Sequence, residues 1–477
     1  MSAAVDVTVV GSGPNGLAAA VTAARAGLGV RVIEAAPTIG GGLRTAELTL
    51  PGYRHDVCSA VHPAALASPF FRAFGLAERI EWIIPDISYA HPLPGGAAGI
   101  AYRDLERTAE ALGRDGEAWR GLFAPLLRRA DGVVDFTGSQ LLRVPRDPTA
   151  AIRFGLRVLE QGSGMWNLRF RDETSRAMLT GVAAHAAGRQ PSLATAGAGL
   201  LLAMHAHAGG WGFPVGGSQA IADAMVADLI THGGSVETGM RIRSLAQLEP
   251  SQVILLDTST ALLLTGDLPA RYRRSLGRYR YGSGVAKVDF ALSGPVPWAN
   301  PEVRRAPTVH LGGSRAEIAA AERAVARGTV PQHPYVLVTQ PSVLDASRAP
   351  VGHHVLWAYT HVPAGSTFDA TELVTSAVER YAPGFRDTIL ASASRSADEL
   401  SQYNENYVGG DIYSGALSLW QLVKRPVVSP RPWRTPIDGV YLCSSATPPG
   451  PAVHGMNGWF AARLALRERF GIAVPTP

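Results

Sequence analysis

The chain has 477 residues, of which 46% are hydrophobic and 17% charged, a composition typical of a compact globular protein with more than one core. Its formal charge of +5 is a mild basic excess without any block of lysine or arginine, so nucleic-acid binding is not indicated. The two cysteines, Cys58 and Cys443, lack CxxC spacing and the histidines are scattered, so neither a redox-active pair nor a metal site is expected.

Residues 5–34 are the most informative segment of the chain. An apolar run ends in Gly11, Gly13 and Gly16, an alanine-rich helix follows, and a second apolar run ends at Glu34. In such a strand–turn–helix–strand unit the glycines permit a tight turn, approach of a pyrophosphate and close packing, while the acid binds ribose hydroxyls. The segment predicts a dinucleotide site. Its predicted contacts also include Pro14, Asn15 and Ala35.

The stretch that follows Glu34 indicates which dinucleotide is bound. A nicotinamide enzyme usually continues into another βαβ unit, whereas this chain has a glycine-rich turn followed by Arg44 and Thr45. The turn resembles the second FAD motif of the glutathione-reductase-type flavoproteins, notably the amine oxidase and phytoene desaturase group. The resemblance implies FAD, with the cation at the flavin side of the pyrophosphate. The contacts implied here are Gly41, Gly42, Leu43, Arg44 and Thr45.

A third motif lies near the end of the chain. A short apolar run from Val440 to Cys443 leads through Ser444 and Ser445 into a Pro/Gly loop, and then into an alanine-rich helix. This resembles the C-terminal flavin motif of the phytoene desaturase-like family, although the two serines stand where that family usually has Gly and often Ala or Asp. The resemblance implies that the start of the helix faces the flavin and stabilises its reduced ring. The implied contacts are Ser444, Ser445, His454, Gly455, Met456 and Asn457.

Further stretches extend the resemblance to the phytoene dehydrogenase-related oxidoreductases. They are residues 212–239 with Arg241 and Ile242 after them, residues 287–298 and residues 405–426. The resemblance implies an α/β fold, in which a discontinuous FAD-binding Rossmann domain of the glutathione-reductase type carries an inserted α+β substrate domain. The expected FAD-binding parts are 1–76, 205–290 and 401–477, and the expected substrate-binding parts are 77–204 and 291–400.

The two inserted parts differ in pattern. Residues 77–204 are predicted to be mostly helical, with a kink at Pro125, and residues 150–162 mix apolar side chains with arginines. That mixed stripe indicates either the core side of a solvated helix or a membrane-surface patch. The second insertion has strand-like runs at 335–339 and 354–359, which predict one wall of a substrate cavity.

Localisation is predicted from what precedes the first strand and from the length of the apolar runs. The first strand starts by residue 5, which leaves no room for a signal peptide, and no apolar run is long enough to span a membrane. We therefore expect a cytoplasmic protein, with peripheral membrane association as the alternative.

Flavin dehydrogenation requires orientation of the substrate more than acid–base groups. His454, just before the flavin-facing helix, is the best catalytic candidate. We expect it to orient the substrate or tune the flavin, without an obligatory acid–base residue, beneath the 453–457 loop. Other polar or aromatic residues are candidates for the substrate cavity: His62, His185, His205, His207 and Trp211.

The resemblance implies an FAD-dependent oxidoreductase that transfers hydride between flavin and a C–H/C–C bond of an apolar, isoprenoid- or carotenoid-like or polycyclic substrate. It would act as a desaturase or a saturase. FAD-dependent amine oxidation is the first alternative, since amine oxidases share the N-terminal motifs. A non-catalytic lipid-binding protein of the same fold, as in the Rab-GDP-dissociation inhibitors, is the second. Oxygen, a quinone or a nicotinamide could each accept the electrons, and the sequence gives no indication of oligomeric state.

Overall fold

The structure is a computed structural model that describes residues 5–474. Its strands, in chain order, are β1 (Val7–Val10), β2 (Val30–Ile33), β3 (Thr45–Glu47), β4 (Arg54–Asp56), β5 (Trp82–Ile83), β6 (Ile87–Pro92), β7 (Ala98–Tyr102), β8 (Phe213–Pro214), β9 (Ser235–Glu237), β10 (Val253–Leu256), β11 (Gly284–Leu292), β12 (Thr308–Leu311), β13 (Val336–Thr339), β14 (His354–Val362), β15 (Ile389–Arg395) and β16 (Val440–Leu442).

The α-helices connect and cover these strands. They are α1 (Pro14–Arg25), α2 (Pro69–Phe74), α3 (Leu76–Arg79), α4 (Leu105–Ala111), α5 (Gly116–Leu127), α6 (Ala130–Thr137), α7 (Pro148–Gln161), α8 (Glu173–Ala183), α9 (Leu193–Ala208), α10 (Gln219–Thr231), α11 (Thr260–Leu263), α12 (Ala270–Gly277), α13 (Pro301–Arg305), α14 (Arg315–Val325), α15 (Thr371–Glu379), α16 (Phe385–Thr388), α17 (Ala397–Tyr403), α18 (Leu419–Lys424) and α19 (Met456–Phe470).

A five-stranded parallel sheet of order β16-β10-β1-β2-β9 forms the centre of the first body of the protein. All four residues of β1 are buried, as expected for a strand covered on both faces. Helix α1 packs between α10 and α19. The approach of α19 is very close, because a Cβ on Gly458 would lie 1.8 Å from the carbonyl oxygen of Asn15. The N-terminal and C-terminal motifs therefore pack directly against each other.

A seven-stranded mixed sheet of order β15-β11-β14-β13-β12-β6-β7 forms the second body. Its pairings are antiparallel except for the parallel contact of β6 with β12. Helices α4, α8 and α9 pack against β6 and β7. The predicted fold class, a Rossmann-type α/β domain with an inserted α+β domain, is confirmed.

All four predicted domain boundaries lie inside regular elements: 76/77 in α3, 204/205 in α9, 290/291 in β11 and 400/401 in α17. Residue 290 was expected to end the second FAD-binding part, yet β11 continues from Gly284 to Leu292 and belongs to the seven-stranded sheet. The strand is buried along its whole length and pairs with β14 on one side and β15 on the other. Its apolar sequence could equally be a strand of the FAD domain, and only these long-range pairings assign it.

The predicted helical insertion differs from the structure in two ways, the first being that residues 82–102 form strands β5, β6 and β7. Pro125, where a kink is predicted, lies inside α5 two residues before the helix ends. In α7, Phe154 is buried, whereas Ile152, Leu156 and Leu159 are exposed, so the apolar stripe is not the core side of the helix. Within residues 5–474, no helix combines the length and apolar character needed to cross a membrane.

Candidate active site

A cavity of about 510 Å³ joins the two sheets. One side lies at the carboxyl ends of β1, β2, β10 and β16, where open α/β sheets usually bind ligands. The other side is formed by residues of β13 and β14. The strand-like runs of the second insertion thus supply a wall of the cavity, as their sequence pattern predicts.

The glycines of the first motif leave bare backbone at one end of the cavity. Gly11 has a φ of +102°, and a Cβ there would lie 2.7 Å from the carbonyl oxygen of Asp257. A Cβ on Gly13 would lie 2.7 Å from Asp257 Oδ2, and one on Gly41 would lie 3.0 Å from the Cα of Gly13. Only glycine fits this backbone closely enough to leave space for a pyrophosphate.

Most residues predicted to bind the cofactor line this cavity. They are Gly11, Gly13, Pro14, Asn15, Glu34, Ala35, Gly41, Gly42, Arg44, Arg241, Ile242, Ser444 and Ser445. Three further residues of the N-terminal motifs support the cavity from behind. A Cβ on Gly16 would lie 2.1 Å from the Gly11 carbonyl oxygen, Leu43 is fully buried, and Thr45 donates a hydrogen bond to Asp56.

Glu34 is fully hydrogen-bonded at the adenosine end of the cavity. Its Oε2 accepts from the backbone N–H of Ser12 at 3.0 Å and from the Ser12 hydroxyl at 2.5 Å. Its Oε1 accepts from Ala36 N at 2.9 Å and Arg44 Nη2 at 3.1 Å. A ribose hydroxyl must therefore replace one of these donors, and the Ser12 hydroxyl is the one that can rotate away.

Arg44 lies closer to Glu34 than the motif predicts. Its guanidinium pairs with Glu34, donates to the Thr38 carbonyl at 2.8 Å and lies 3.3 Å from the Tyr403 hydroxyl. A buried carboxylate requires a cationic or hydrogen-bonding partner, and Arg44 supplies it. Arg44 also lines the cavity, and its predicted place at the flavin side of the pyrophosphate stays a prediction.

The C-terminal motif lines the cavity with a different part than predicted. Pro451, Ala452 and Val453 line it, whereas His454 does not. The Nδ1 of His454 accepts a hydrogen bond from the backbone N–H of Met456 at 3.1 Å, and burial lowers the pKa of the ring to about 4. The neutral ring therefore satisfies the first N–H of α19. This position does not support His454 as the group that faces the substrate.

The residues after His454 also lie outside the cavity lining. A Cβ on Gly455 would lie 2.5 Å from the Phe70 ring, and Met456 is buried in the core of the five-stranded sheet. Asn457 donates to the Thr447 carbonyl at 2.8 Å. These residues fix the start of α19, and the buried Oδ1 of Asn457 has no partner among the described residues, so their predicted contacts with the cofactor stay predictions.

Of the five predicted substrate-cavity residues, only His185 lines the cavity. Trp211 is buried behind it, with ring centroids 5.4 Å apart. His62 bonds to Ser218, and His207 bonds to Trp119 in the helical insertion. His205 and His207 lie in helix α9, and both side chains are buried in the protein interior.

The inner part of the cavity, beyond the dinucleotide motifs, is mainly apolar and aromatic. Leu337, Trp357 and Tyr359 line it from the sheet, and Cys58 and Tyr413 line it from loops. The hydroxyls of Tyr359 and Tyr413 are 3.1 Å apart. Apart from the strand pattern of the sheet, no sequence pattern predicts these residues, because their shared location depends on contacts between segments far apart in the chain.

A buried polar cluster lies behind His185. The Nε2 atoms of His185 and His310 are 2.8 Å apart, and His361 bonds to Glu322 at 2.7 Å on the far side of Tyr335. Several buried polar atoms of this cluster have no partner among the described residues: His91 Nδ1, His310 Nδ1, Tyr335 Oη and His361 Nε2. Burial lowers the pKa of His185 to about 3, so its ring is neutral.

A buried cation stands behind the aromatic wall. Lys287 in β11 forms an ion pair with Asp289, and its Nζ lies 5.6 Å from the centre of the Trp357 ring. Burial lowers the pKa of Lys287 and raises the pKa of Asp289, while their ion pair opposes both shifts. This pair could have been predicted from the sequence, because it consists of two opposite charges at alternate positions of an otherwise apolar strand.

Comparison with known proteins identifies the family of the chain. The family described as flavin containing amine oxidoreductase matches residues 15–456. The chain belongs to this family. Its cofactor is FAD, and it is an FAD-dependent oxidoreductase, so the non-catalytic alternative does not hold.

The proteins that are similar to this chain carry different names. Pyridine nucleotide-disulfide oxidoreductase domain-containing protein 2 of Mus musculus is 27% identical over 552 residues, covering 97% of this chain and 93% of that protein. The 4,4'-diapolycopen-4-al dehydrogenase of Metabacillus indicus is 32% identical over 132 residues, covering 26% of each. A putrescine oxidase bound to putrescine shares the fold, with a TM-score of 0.59, 17% identity and 98% of each chain covered.

The residues of the cavity fit the flavin cofactor of the family. Gly11, Gly13 and Gly41 provide bare backbone for the pyrophosphate. Asn15 and Ser445 line the adjoining part, and the buried Oδ1 of Asn15 has no partner among the described residues. This oxygen can accept a hydrogen bond from a hydroxyl of the ribityl chain.

An acid beside the pyrophosphate glycines is unusual for an anion site. Asp257 lines the cavity, and its Oδ2 accepts a hydrogen bond from Gly16 N at 2.8 Å. Burial is the main cause that raises its pKa to about 7, and the charge of Glu34 adds to the shift. Below pH 7 the carboxyl is therefore protonated, which leaves the site without this negative charge.

We expect the affinity for FAD to be constant below about pH 7 and to fall as the pH rises through that value, where Asp257 ionises and repels the pyrophosphate. The free energy of unfolding should fall between pH 3.8 and about 7, because the folded chain there keeps a proton that the unfolded chain has lost. FAD titration of the apoprotein across this range measures the first effect.

The variant Asp257→Asn keeps an acceptor for Gly16 N and should bind FAD with little dependence on pH. The matched control is Asp267→Asn, which changes an exposed acid and should keep the wild-type pH profile. An unchanged decline of affinity in Asp257→Asn would assign the pH dependence to another group.

Proposed function

We propose that the chain removes hydrogen across a C–C bond of an apolar, isoprenoid-like or polycyclic substrate, or adds hydrogen in the reverse direction. The observation that carries this proposal is the division of the cavity into two chemically different parts. The acids that line it, Glu34, Asp257 and Glu405, belong to the dinucleotide end, where Glu405 pairs with Arg241. Among the described residues, the inner part has no carboxylate to bind a cationic or strongly polar substrate.

The inner cavity suits an apolar molecule. Ala60, Val61, Leu337 and Trp357 supply apolar surface, and the hydroxyls of Tyr359 and Tyr413 are among its few polar groups. Binding would be driven by burial of apolar area, and few polar groups would fix the orientation. The relative from Metabacillus indicus, named as a diapolycopenal dehydrogenase, supports the same substrate class.

Desaturation removes two hydrogens from neighbouring carbons. One leaves with the electron pair of its bond, and the other leaves as a proton whose electron pair becomes the new π bond. Bound FAD supplies the ring that takes up the electron pair with the first hydrogen. The sequence predicts a reaction without an obligatory acid–base residue; we propose instead that a side chain of the cavity receives this proton.

His185 is the residue whose position fits that task. It lines the inner cavity, its Nε2 is engaged by His310, and its Nδ1 has no hydrogen-bond partner among the described residues. When the ring donates from Nε2–H, Nδ1 carries a lone pair that can accept the substrate proton. The lowered pKa keeps the ring neutral and able to accept, and disfavours a lasting imidazolium. Sharing the proton with His310 would spread that charge.

Oxidation of an amine is the second candidate, and one observation favours it. Trp357, Tyr359 and Tyr413 bring three aromatic rings to the inner cavity, and aromatic faces attract ammonium groups. Trp459, the aromatic residue next to the C-terminal motif, is buried in the core and takes no part in such a cage. The desaturase function remains the proposal because no carboxylate accompanies these rings.

Anaerobic bleaching of the flavin band separates the two candidates. We expect polyene hydrocarbons such as lycopene to reduce the FAD-loaded protein, because the inner cavity is mainly apolar, and we expect putrescine not to reduce it. Dithionite serves as the positive control for a reducible flavin. Bleaching by putrescine alone, or by none of the apolar compounds, would refute the proposed function.

A further inference from the structure

Helix α7 carries an apolar stripe on the outside of the protein. Ile152, Leu156 and Leu159 follow one another at helical spacing and are 62%, 58% and 49% exposed. The turn that packs against α7 adds exposed Met165 and Leu168. We call these five residues the α7 face. Three aliphatic side chains on one exposed helix face are unusual, because such positions normally face a core.

Arginines surround the α7 face. Residues 142–171 contain six arginines and only two acidic residues. Arg153 lies beside Ile152, is exposed, and has no ion-pair partner among the described residues. Arg146 is 64% exposed, with its nearest acid, Asp135, at 3.7 Å. Arg143, Arg157 and Arg169 form ion pairs with Asp135 or Glu160, so the surface combines an apolar centre with a net positive charge to which the unpaired Arg153 contributes directly.

We propose that the α7 face docks the protein on a lipid bilayer that contains anionic headgroups. An interfacial helix binds such a bilayer with aliphatic residues inserted below the headgroups and arginines among the phosphates. A protein partner fits less well, since the five residues of the α7 face include no Trp or Tyr, and Trp166 in the adjoining turn is already stacked with Arg315. Because no helix in residues 5–474 can cross a membrane, the contact is peripheral.

The location of the face relates it to the cavity. Helix α7 packs on α9, and α9 packs on the turn Ala184–Ala186 that carries His185. Helix α9 therefore connects the helix that carries the α7 face with the turn that carries His185. This inference does not depend on the proposed function, because bilayer binding can be measured without a substrate.

Flotation of the FAD-loaded protein with vesicles tests the proposal. We expect cofloating with vesicles of phosphatidylcholine and phosphatidylglycerol, weaker cofloating with phosphatidylcholine alone, and release by added salt, which screens the arginines. The triple variant Ile152→Gln, Leu156→Gln and Leu159→Gln should lose roughly 90% or more of the bound fraction, because binding scales with the buried apolar area. Arg153→Gln should reduce the preference for anionic vesicles.

The matched control replaces three exposed aliphatic residues elsewhere, Leu344, Val351 and Leu390, with glutamine. It should cofloat like the wild type, and the flavin absorbance of every variant checks that it is folded. Absence of wild-type cofloating, or equal cofloating of the α7 triple variant, would overturn the proposal. If the wild type binds no vesicles but forms dimers, and the α7 triple variant is monomeric, the face would instead be assigned to a contact with a second copy of the chain.

Discussion

Replacing Gly13 with valine is expected to give a folded protein that no longer retains FAD. The backbone of Gly13 has an ordinary φ of −67°, so a side chain introduces no backbone strain there. Its Cβ, however, would lie 2.7 Å from Asp257 Oδ2, and its methyl groups would occupy the place of the pyrophosphate. We expect FAD affinity to fall by roughly 100-fold or more, equivalent to at least about 2.7 kcal/mol. Equilibrium dialysis with FAD measures the change.

The control for this variant is Gly294→Val, where a Cβ would meet nothing within 4 Å. Circular dichroism and thermal unfolding distinguish loss of the cofactor from loss of the fold. Gly13→Ala should fall between the wild type and Gly13→Val, because it adds the Cβ without the branched methyls. Stoichiometric FAD in purified Gly13→Val would contradict the assigned pyrophosphate position.

His185→Gln is expected to retain FAD and to slow anaerobic flavin reduction by about 100- to 10,000-fold, the usual contribution of a positioned acid–base group. Glutamine can still hydrogen-bond to His310, so the cluster behind it stays connected, but it cannot accept a proton at neutral pH. Stopped-flow mixing with whichever apolar compound bleaches the wild-type flavin gives the rate. His185→Ala should be at least as slow.

His205→Gln is the matched control, because His205 is buried but does not line the cavity. It should reduce flavin at nearly the wild-type rate. A solvent deuterium isotope effect that is present in the wild type and lost in His185→Gln would separate proton transfer from a structural role. A His185→Gln protein with the wild-type rate would remove His185 from the mechanism.

The parts of the site that the sequence predicted are those encoded locally. The turn of Gly11 and Gly13 and the acid at position 34 belong to one continuous unit, so their spacing alone positions a dinucleotide. The wall formed by β13 and β14 was predicted for a similar reason, since alternating apolar and aromatic runs report strands directly.

The remaining parts depend on contacts that no local pattern contains. The role of His185 rests on His310, which lies 125 positions later, and Asp257 meets Gly16 across 241 positions. His454 was a reasonable prediction from its motif, yet its ring satisfies the N–H of Met456 and lies outside the cavity lining. A histidine beside a helix start can either cap the helix or face the ligand, and only the folded structure distinguishes the two.

The close packing of α19 on α1 has a consequence for biosynthesis. The ribosome releases β1, α1 and β2 long before β10 and β16 exist to complete their sheet, and before Gly458 can approach Asn15. Throughout this interval the nascent chain exposes the apolar edge of β1 and the uncovered side of α1, surfaces that are prone to aggregation and suited to chaperones. The chain can therefore acquire its flavin only late in translation or afterwards.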